Sequence, residues 1–488
     1  MKVALLMAVT LVASSMDSSW ANSGASFGTG SPVATTAADT ASVNVPMPVH
    51  QRLNLSNGLR LILVPRHDIP LLAFNLVVRG GARMDLPGRA GTAALAADLL
   101  THGAGSRDAY AFADAVEGAG GTLEATARGE ALLVRGQFLA RDSHLMLELL
   151  SDAVVRPHFD AAELDKLRTR HIEELKATKD SSPQALLGDY GRAMLFANHA
   201  YGQPVGGSEA SLARITRADV TQFFASQVGA DRATLVIAGD FDPAQIQQQV
   251  TAVLGSWKRT AQSLPALAPT VRVKGRRVLL IDAPGSAQTY FWLANAGVPR
   301  RFPERAALDI ANGAFGGSFG SMLNQELRIK SGLTYGVSSR FARGTVAGEF
   351  AIGSFTQTDN TARALDLTLA TLTRLRRDAL DAATIDSARN YLLGQYPLAF
   401  ETPADWAAAL GDLDLYDLPE SYIAEYGTEL VKVQPAAVRA AIDAAYPAPE
   451  DLDIVLIGDA ARTGPVAAQY GPVTTMPLSA PDFKPKAP

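Results

Sequence analysis

Two glycine-marked strand ends recur in this chain at nearly one spacing: Gly80 and Gly297 lie 217 positions apart, and Gly239 and Gly458 lie 219. A repeat this long constrains the fold strongly, because each copy is large enough to need a hydrophobic core of its own. The segments between the landmarks follow one order. In the first copy, Asn57-Gly58 separates two apolar alternating runs, the strongest short-range hairpin signal, and a strand over 71–78 ends at Gly80-Gly81. Helical patterns over 91–102 and 109–118 come next, followed by a second hairpin, 122–127 and 131–138, turning at Arg128-Gly129-Glu130. Helical periodicity returns over 142–155, 161–179 and 217–227 before an apolar run, 233–238, closes at Gly239-Asp240. In the second copy, strands over 277–281 and 289–294 end at Gly297, helical segments follow, and a strand over 452–457 closes at Gly458-Asp459. The pattern predicts an α+β protein of two homologous domains, each a mixed, mostly antiparallel sheet with helices packed on one face.

The expected division is 47–260 for the first domain and 272–470 for the second, with a Pro- and Ala-containing linker over 261–271 and a tail over 471–488. Residues 1–21 read as a cleavable secretory signal: Lys2, an apolar run over 3–12 too short to span a bilayer, and a small-residue exit at Ser19-Trp20-Ala21. Residues 22–46, rich in Ser, Thr, Ala and Gly, read as a flexible leader. With 47% hydrophobic residues the remainder has material for two cores. A net charge of −5 with both signs interspersed and no basic block argues against nucleic acid or anionic lipid as a partner. The absence of Cys rules out disulfides and a lipoprotein anchor, so a soluble periplasmic protein without a membrane anchor is expected.

Asn57-Gly58-Leu59 with its following strand, Arg79-Gly80-Gly81-Ala82-Arg83 and Pro87-Gly88-Arg89-Ala90 ahead of a helix resemble the opening of insulinase and pitrilysin superfamily peptidases. Further matching motifs are Asn198-His199-Ala200-Tyr201-Gly202 and the stretch from Gly316-Gly317 through Arg328 to Tyr335. The resemblance spans the mature chain and is nearest the short two-domain branch that includes bacterial two-subunit peptidases and the mitochondrial processing peptidase. It implies that the two domains form half of a clam-shell chamber.

Active members of that superfamily carry an inverted zinc motif, H-x-x-E-H, on the helix after this glycine turn. Here the motif falls on Ala94-Leu95-Ala96-Ala97-Asp98: Ala94 and Asp98 stand for the two histidines and Ala97 for the base. Alanine has no lone pair to offer zinc, so no metal is expected in this chain. A third ligand, a Glu on a later helix, would fall near Glu173 and Glu174, beside His171. His171 with Glu174, His144 with Glu148, and Asp98 with His102 have helical spacing; they are read as surface polar pairs, with His102 favourably placed at a helix C-terminus.

The resemblance also implies a substrate-facing pair in the second domain, Arg328 and Tyr335, donors that stabilise the charge developing on a peptide carbonyl. The Gly316-Gly317-Ser318-Phe319-Gly320 loop lacks the ending of a phosphate loop and reads as a tight turn and a candidate contact of the chamber wall. The expected function is therefore the noncatalytic subunit of a heterodimeric zinc peptidase, inactive alone and paired one-to-one with an H-x-x-E-H subunit that supplies the zinc. An inactive scaffold or peptide-binding protein of the same fold is the alternative.

Overall fold

In a computed structural model, residues 44–260 and 262–484 are described. The expected signal segment and most of the leader lie outside the described residues.

Two six-stranded sheets carry the fold. The first holds β1 (Gln51–Asn54), β2 (Arg60–Pro65), β3 (Leu71–Arg79), β4 (Thr122–Ala127), β5 (Ala131–Leu139) and β6 (Ala233–Gly239), in the order β1-β2-β6-β3-β5-β4. The second holds β7 (Arg277–Asp282), β8 (Gln288–Ala296), β9 (Val337–Arg343), β10 (Ala347–Gln357), β11 (Asp453–Gly458) and β12 (Val473–Pro477), in the order β12-β7-β11-β8-β10-β9. Five strands correspond one for one, down to the single parallel pairing of β2 with β6 and of β7 with β11. The sixth differs: β1 pairs antiparallel to β2, whereas β12 runs parallel to β7.

Asn57-Gly58 turns the first hairpin. Gly58 sits at φ 93°, a conformation few side chains tolerate, and the Asn57 amide donates to the carbonyls of Leu254 (2.8 Å) and Trp257 (3.1 Å). The first core lies between this sheet and its own helices, α1 (Thr92–Leu99) and α2 (Ala161–Ser181) among them. Every residue of β6 and β11 is buried, which accounts for the apolar runs over 235–238 and 454–457 within them.

The two halves cover each other's sheets. Helix α3 (Leu187–Leu195), from the first half, lays Leu187 and Tyr190 against Leu279, Trp292 and Val455 of the second sheet. Helix α4 (Pro403–Leu415), from the second half, lays Trp406, Ala407 and Leu410 against Ile62, Val64 and Val236 of the first. Each exchanged helix approaches through a glycine: a Cβ on Gly191 would meet the Trp292 ring at 2.5 Å, and one on Gly411 would meet the Asn75 amide at 2.6 Å. Gly191 and Gly411 lie 220 positions apart, so the exchange belongs to the duplication itself. Helices thus cover the face expected for each sheet and, by exchange, the opposite one.

The stretch expected as a tail is built into the fold. After β12, Phe483 packs edge-on against Tyr190 at 4.9 Å, Asp482 accepts from Ser208 Oγ (2.7 Å), and buried Lys179 donates to the Ala480 carbonyl (2.6 Å). Buried Glu130, in the first sheet's hairpin turn, accepts from Tyr201 Oη (2.7 Å) and the Thr345 amide (2.8 Å) of the second sheet's matching turn. No helix among the described residues is long and apolar enough to cross a membrane.

Candidate functional site

Helix α1 carries the three positions that the zinc motif would fill. Its N-terminus is fixed by Asp85, whose carboxylate accepts from the amides of Gly91 (2.8 Å) and Ala93 (2.9 Å). Asp85 is 5% exposed, and burial raises its carboxyl to about 7 despite those two donors. A carboxyl raised on folding contributes stability that is full below its unfolded pKa of about 4 and lost as pH rises towards 7. Asp85→Asn is therefore expected to flatten the fall in stability between about pH 4 and pH 7, measured by urea unfolding. Asp85→Ala, which leaves the amides uncapped, is expected to cost about 0.5–2 kcal/mol.

Ala94 is half-buried, Ala97 is fully buried within the first core, and neither offers a ligand atom. Asp98 does, but its Oδ2 lies 2.7 Å from Nε2 of His171 on α2. The pair is mostly buried, and it bridges α1 and α2 directly. Glu174 is exposed and lies 3.6 Å from Arg170, which in turn lies 3.9 Å from Asp98. Glu148 bonds Arg107 at 2.8 Å rather than His144, and His102 Nδ1 lies 2.8 Å from the Asp98 carbonyl, at the helix end where a histidine is favourable. Among the described residues no group of three or more His, Cys, Asp or Glu is placed to hold a metal ion. The residues on α1 do not fit the zinc of the superfamily.

The second constellation is assembled. Arg328 lies in a π-helical segment, Gln325–Lys330, a local widening often found at functional sites. Its guanidinium carbon is 4.6 Å from the ring centroid of Tyr335 and 4.6 Å from that of Phe319. Both rings are largely in solvent, Tyr335 at 77% exposure and Phe319 at 63%. Among the described residues the Arg328 side chain has no hydrogen-bond or ion-pair partner, so its five N–H donors stay available. Buried Asn324 ties the three segments together, donating to the carbonyls of Ser318 (3.2 Å) and Val337 (3.0 Å). Glu326, on the same turn, accepts from Lys330 (2.9 Å) and Arg374 (3.0 Å) and anchors the segment from behind. Phe319 is the member that the sequence placed in a glycine-rich turn without a role of its own. Its signal was a large aromatic standing alone in a loop of Gly and Ser.

Two family models match the chain, "Insulinase (Peptidase family M16)" over residues 65–209 and "Peptidase M16 inactive domain" over 214–392. An uncharacterized zinc protease of Mycobacterium leprae is 27% identical over 75% of this chain and 82% of its own length. The non-peptidase homolog YmxG of Helicobacter pylori is 25% identical over 72% of this chain and 81% of its own. Among solved structures, a peptidase M16 inactive domain from Pseudomonas fluorescens superimposes with a TM-score of 0.78 at 24% identity, covering 84% of this chain and 98% of that one. A Helicobacter pylori protease superimposes with a TM-score of 0.77 at 17% identity, covering 84% of this chain and all of that one. With both family models in chain order and two sheets of matching topology, this chain belongs to the insulinase family of peptidases as a noncatalytic member.

Proposed function

We propose that this chain is the noncatalytic subunit of a periplasmic heterodimeric zinc peptidase, closing over an H-x-x-E-H partner as half of a clam-shell chamber and presenting Arg328 and Tyr335 to the peptide. The observation that carries this reading is the state of Arg328: its side chain lies against two exposed rings while its donors lack acceptors among the described residues. A guanidinium so arranged suits an oxygen arriving from outside the chain, such as a peptide carbonyl. The name of the Helicobacter pylori relative, a non-peptidase homolog, supports the absence of activity in the isolated chain.

Co-expression with zinc-bearing homologues from the same source is expected to give a one-to-one species on size exclusion, through an interface on the order of 1,600 Å² or more. Peptide cleavage is expected from the mixture and from neither this chain alone nor, at full rate, the partner alone. If the chain stays monomeric beside every such homologue, the subunit reading is wrong, and an inactive scaffold or peptide-binding protein of this fold takes its place.

A further inference from the structure

We infer that Phe319 is a positioning residue for Arg328, holding the guanidinium plane so that its N–H edge faces the peptide. The inference rests on the reading of Arg328 as a substrate-facing donor and adds a member to that site.

An arginine on a helix surface samples many rotamers, and fixing one without an ion partner requires contact along its length or on its faces. Here the partners are rings. Arg328 Cζ lies 4.6 Å from the Phe319 centroid, within the range where a cation is drawn to the face of an aromatic ring. Such contact leaves the in-plane N–H groups free, because ring and carboxylate compete for different parts of the guanidinium. The Phe319 ring does little for the core: it is 63% exposed and belongs to no buried cluster.

The backbone that presents Phe319 is nevertheless fixed at the preceding residue, Ser318. Ser318 donates through Oγ to the Gly313 carbonyl (2.9 Å), and its own carbonyl accepts from Asn324 (3.2 Å). Preceding it is a second π-helical segment, Gly313–Gly317. An exposed apolar ring on an anchored loop, aimed at an arginine without an ion partner, has a use in orienting that arginine. Tyr335 supplies the other ring but also a hydroxyl; Phe319 has only its ring to offer, and that ring lies against Arg328.

The test is a double-mutant cycle in the one-to-one complex, read on an internally quenched fluorogenic peptide that the wild-type complex cleaves. Phe319→Leu, which keeps apolar bulk and removes the ring, is expected to lower kcat on the order of 2- to 5-fold. Phe319→Tyr is expected to retain wild-type kcat, since it restores the ring face. In an Arg328→Ala background, Phe319→Leu is expected to change nothing further. An equal loss in both backgrounds, or a loss of one-to-one assembly in place of turnover, overturns the positioning role. So does unchanged turnover in Phe319→Leu while Arg328→Ala is impaired, and in that case the donor reading stands. If Arg328→Ala itself cleaves at the wild-type rate, the donor reading fails and the positioning role falls with it.

Discussion

Arg328→Ala and Tyr335→Phe, each in a verified one-to-one complex with a zinc-bearing partner, are expected to lower turnover by about 10²- to 10³-fold, roughly 2.7–4 kcal/mol. The size of the effect follows from where the charge appears. Peptide hydrolysis builds negative charge on the carbonyl oxygen, and donors already in place there contribute far more to the transition state than to the bound peptide. Tyr335→Phe is the cleaner substitution, because a side chain 77% exposed loses only its hydroxyl and keeps the ring that contacts Arg328. Assembly and zinc content of the complex are expected to stay at wild-type levels in both variants. The two residues touch, so the double variant is expected to lose much less than the product of the single losses. Near-wild-type turnover in both single variants would remove this chain from the chemistry and leave it a scaffold.

Much of the fold was legible because it is written in short-range periodicity. The Asn57-Gly58 hairpin, the buried runs of β6 and β11 and the repeated order of elements all depend on neighbours in sequence, and the structure has each of them. What was not legible depends on partners far away. Nothing in Leu187 to Leu195 distinguishes a helix that covers its own sheet from one that covers the other half's, since apolar residues suit either surface. The strand β12 escaped notice because an edge strand with four of its five residues exposed or half-exposed shows little apolar alternation. The histidines illustrate the same limit. Helical spacing pairs His171 with Glu174, but the partner found is Asp98, 73 residues away on another helix. Arg328 and Tyr335 were found through resemblance. Phe319 was not, because ring contact with an arginine leaves no spacing rule in the sequence.

The purified chain is expected to carry no stoichiometric zinc by elemental analysis and to cleave no peptide by itself. Zinc requires imidazole, thiolate or carboxylate ligands in a tetrahedral set with an open position for water, and α1 offers a single carboxylate. That carboxylate is engaged: Asp98 bonds His171 across the gap between α1 and α2, so a metal would have to displace a mostly buried hydrogen bond to reach it. Restoring the motif with Ala94→His, Ala97→Glu and Asp98→His tests the assignment of these positions, and the structure indicates why the substitutions alone are expected to fall short. Ala97 is 0% exposed within the first core. A glutamate there overpacks its surroundings, at about 1–3 kcal/mol, and buries a carboxylate with no counter-charge provided. Asp98→His also removes the acceptor of His171 and leaves two imidazoles facing each other. The triple variant is therefore expected to melt several degrees below the wild type and to remain substoichiometric in zinc, a combination that follows from the packing of α1. One zinc per wild-type chain, surviving mild chelation, would show that the ligands lie elsewhere and would overturn the noncatalytic assignment at its root.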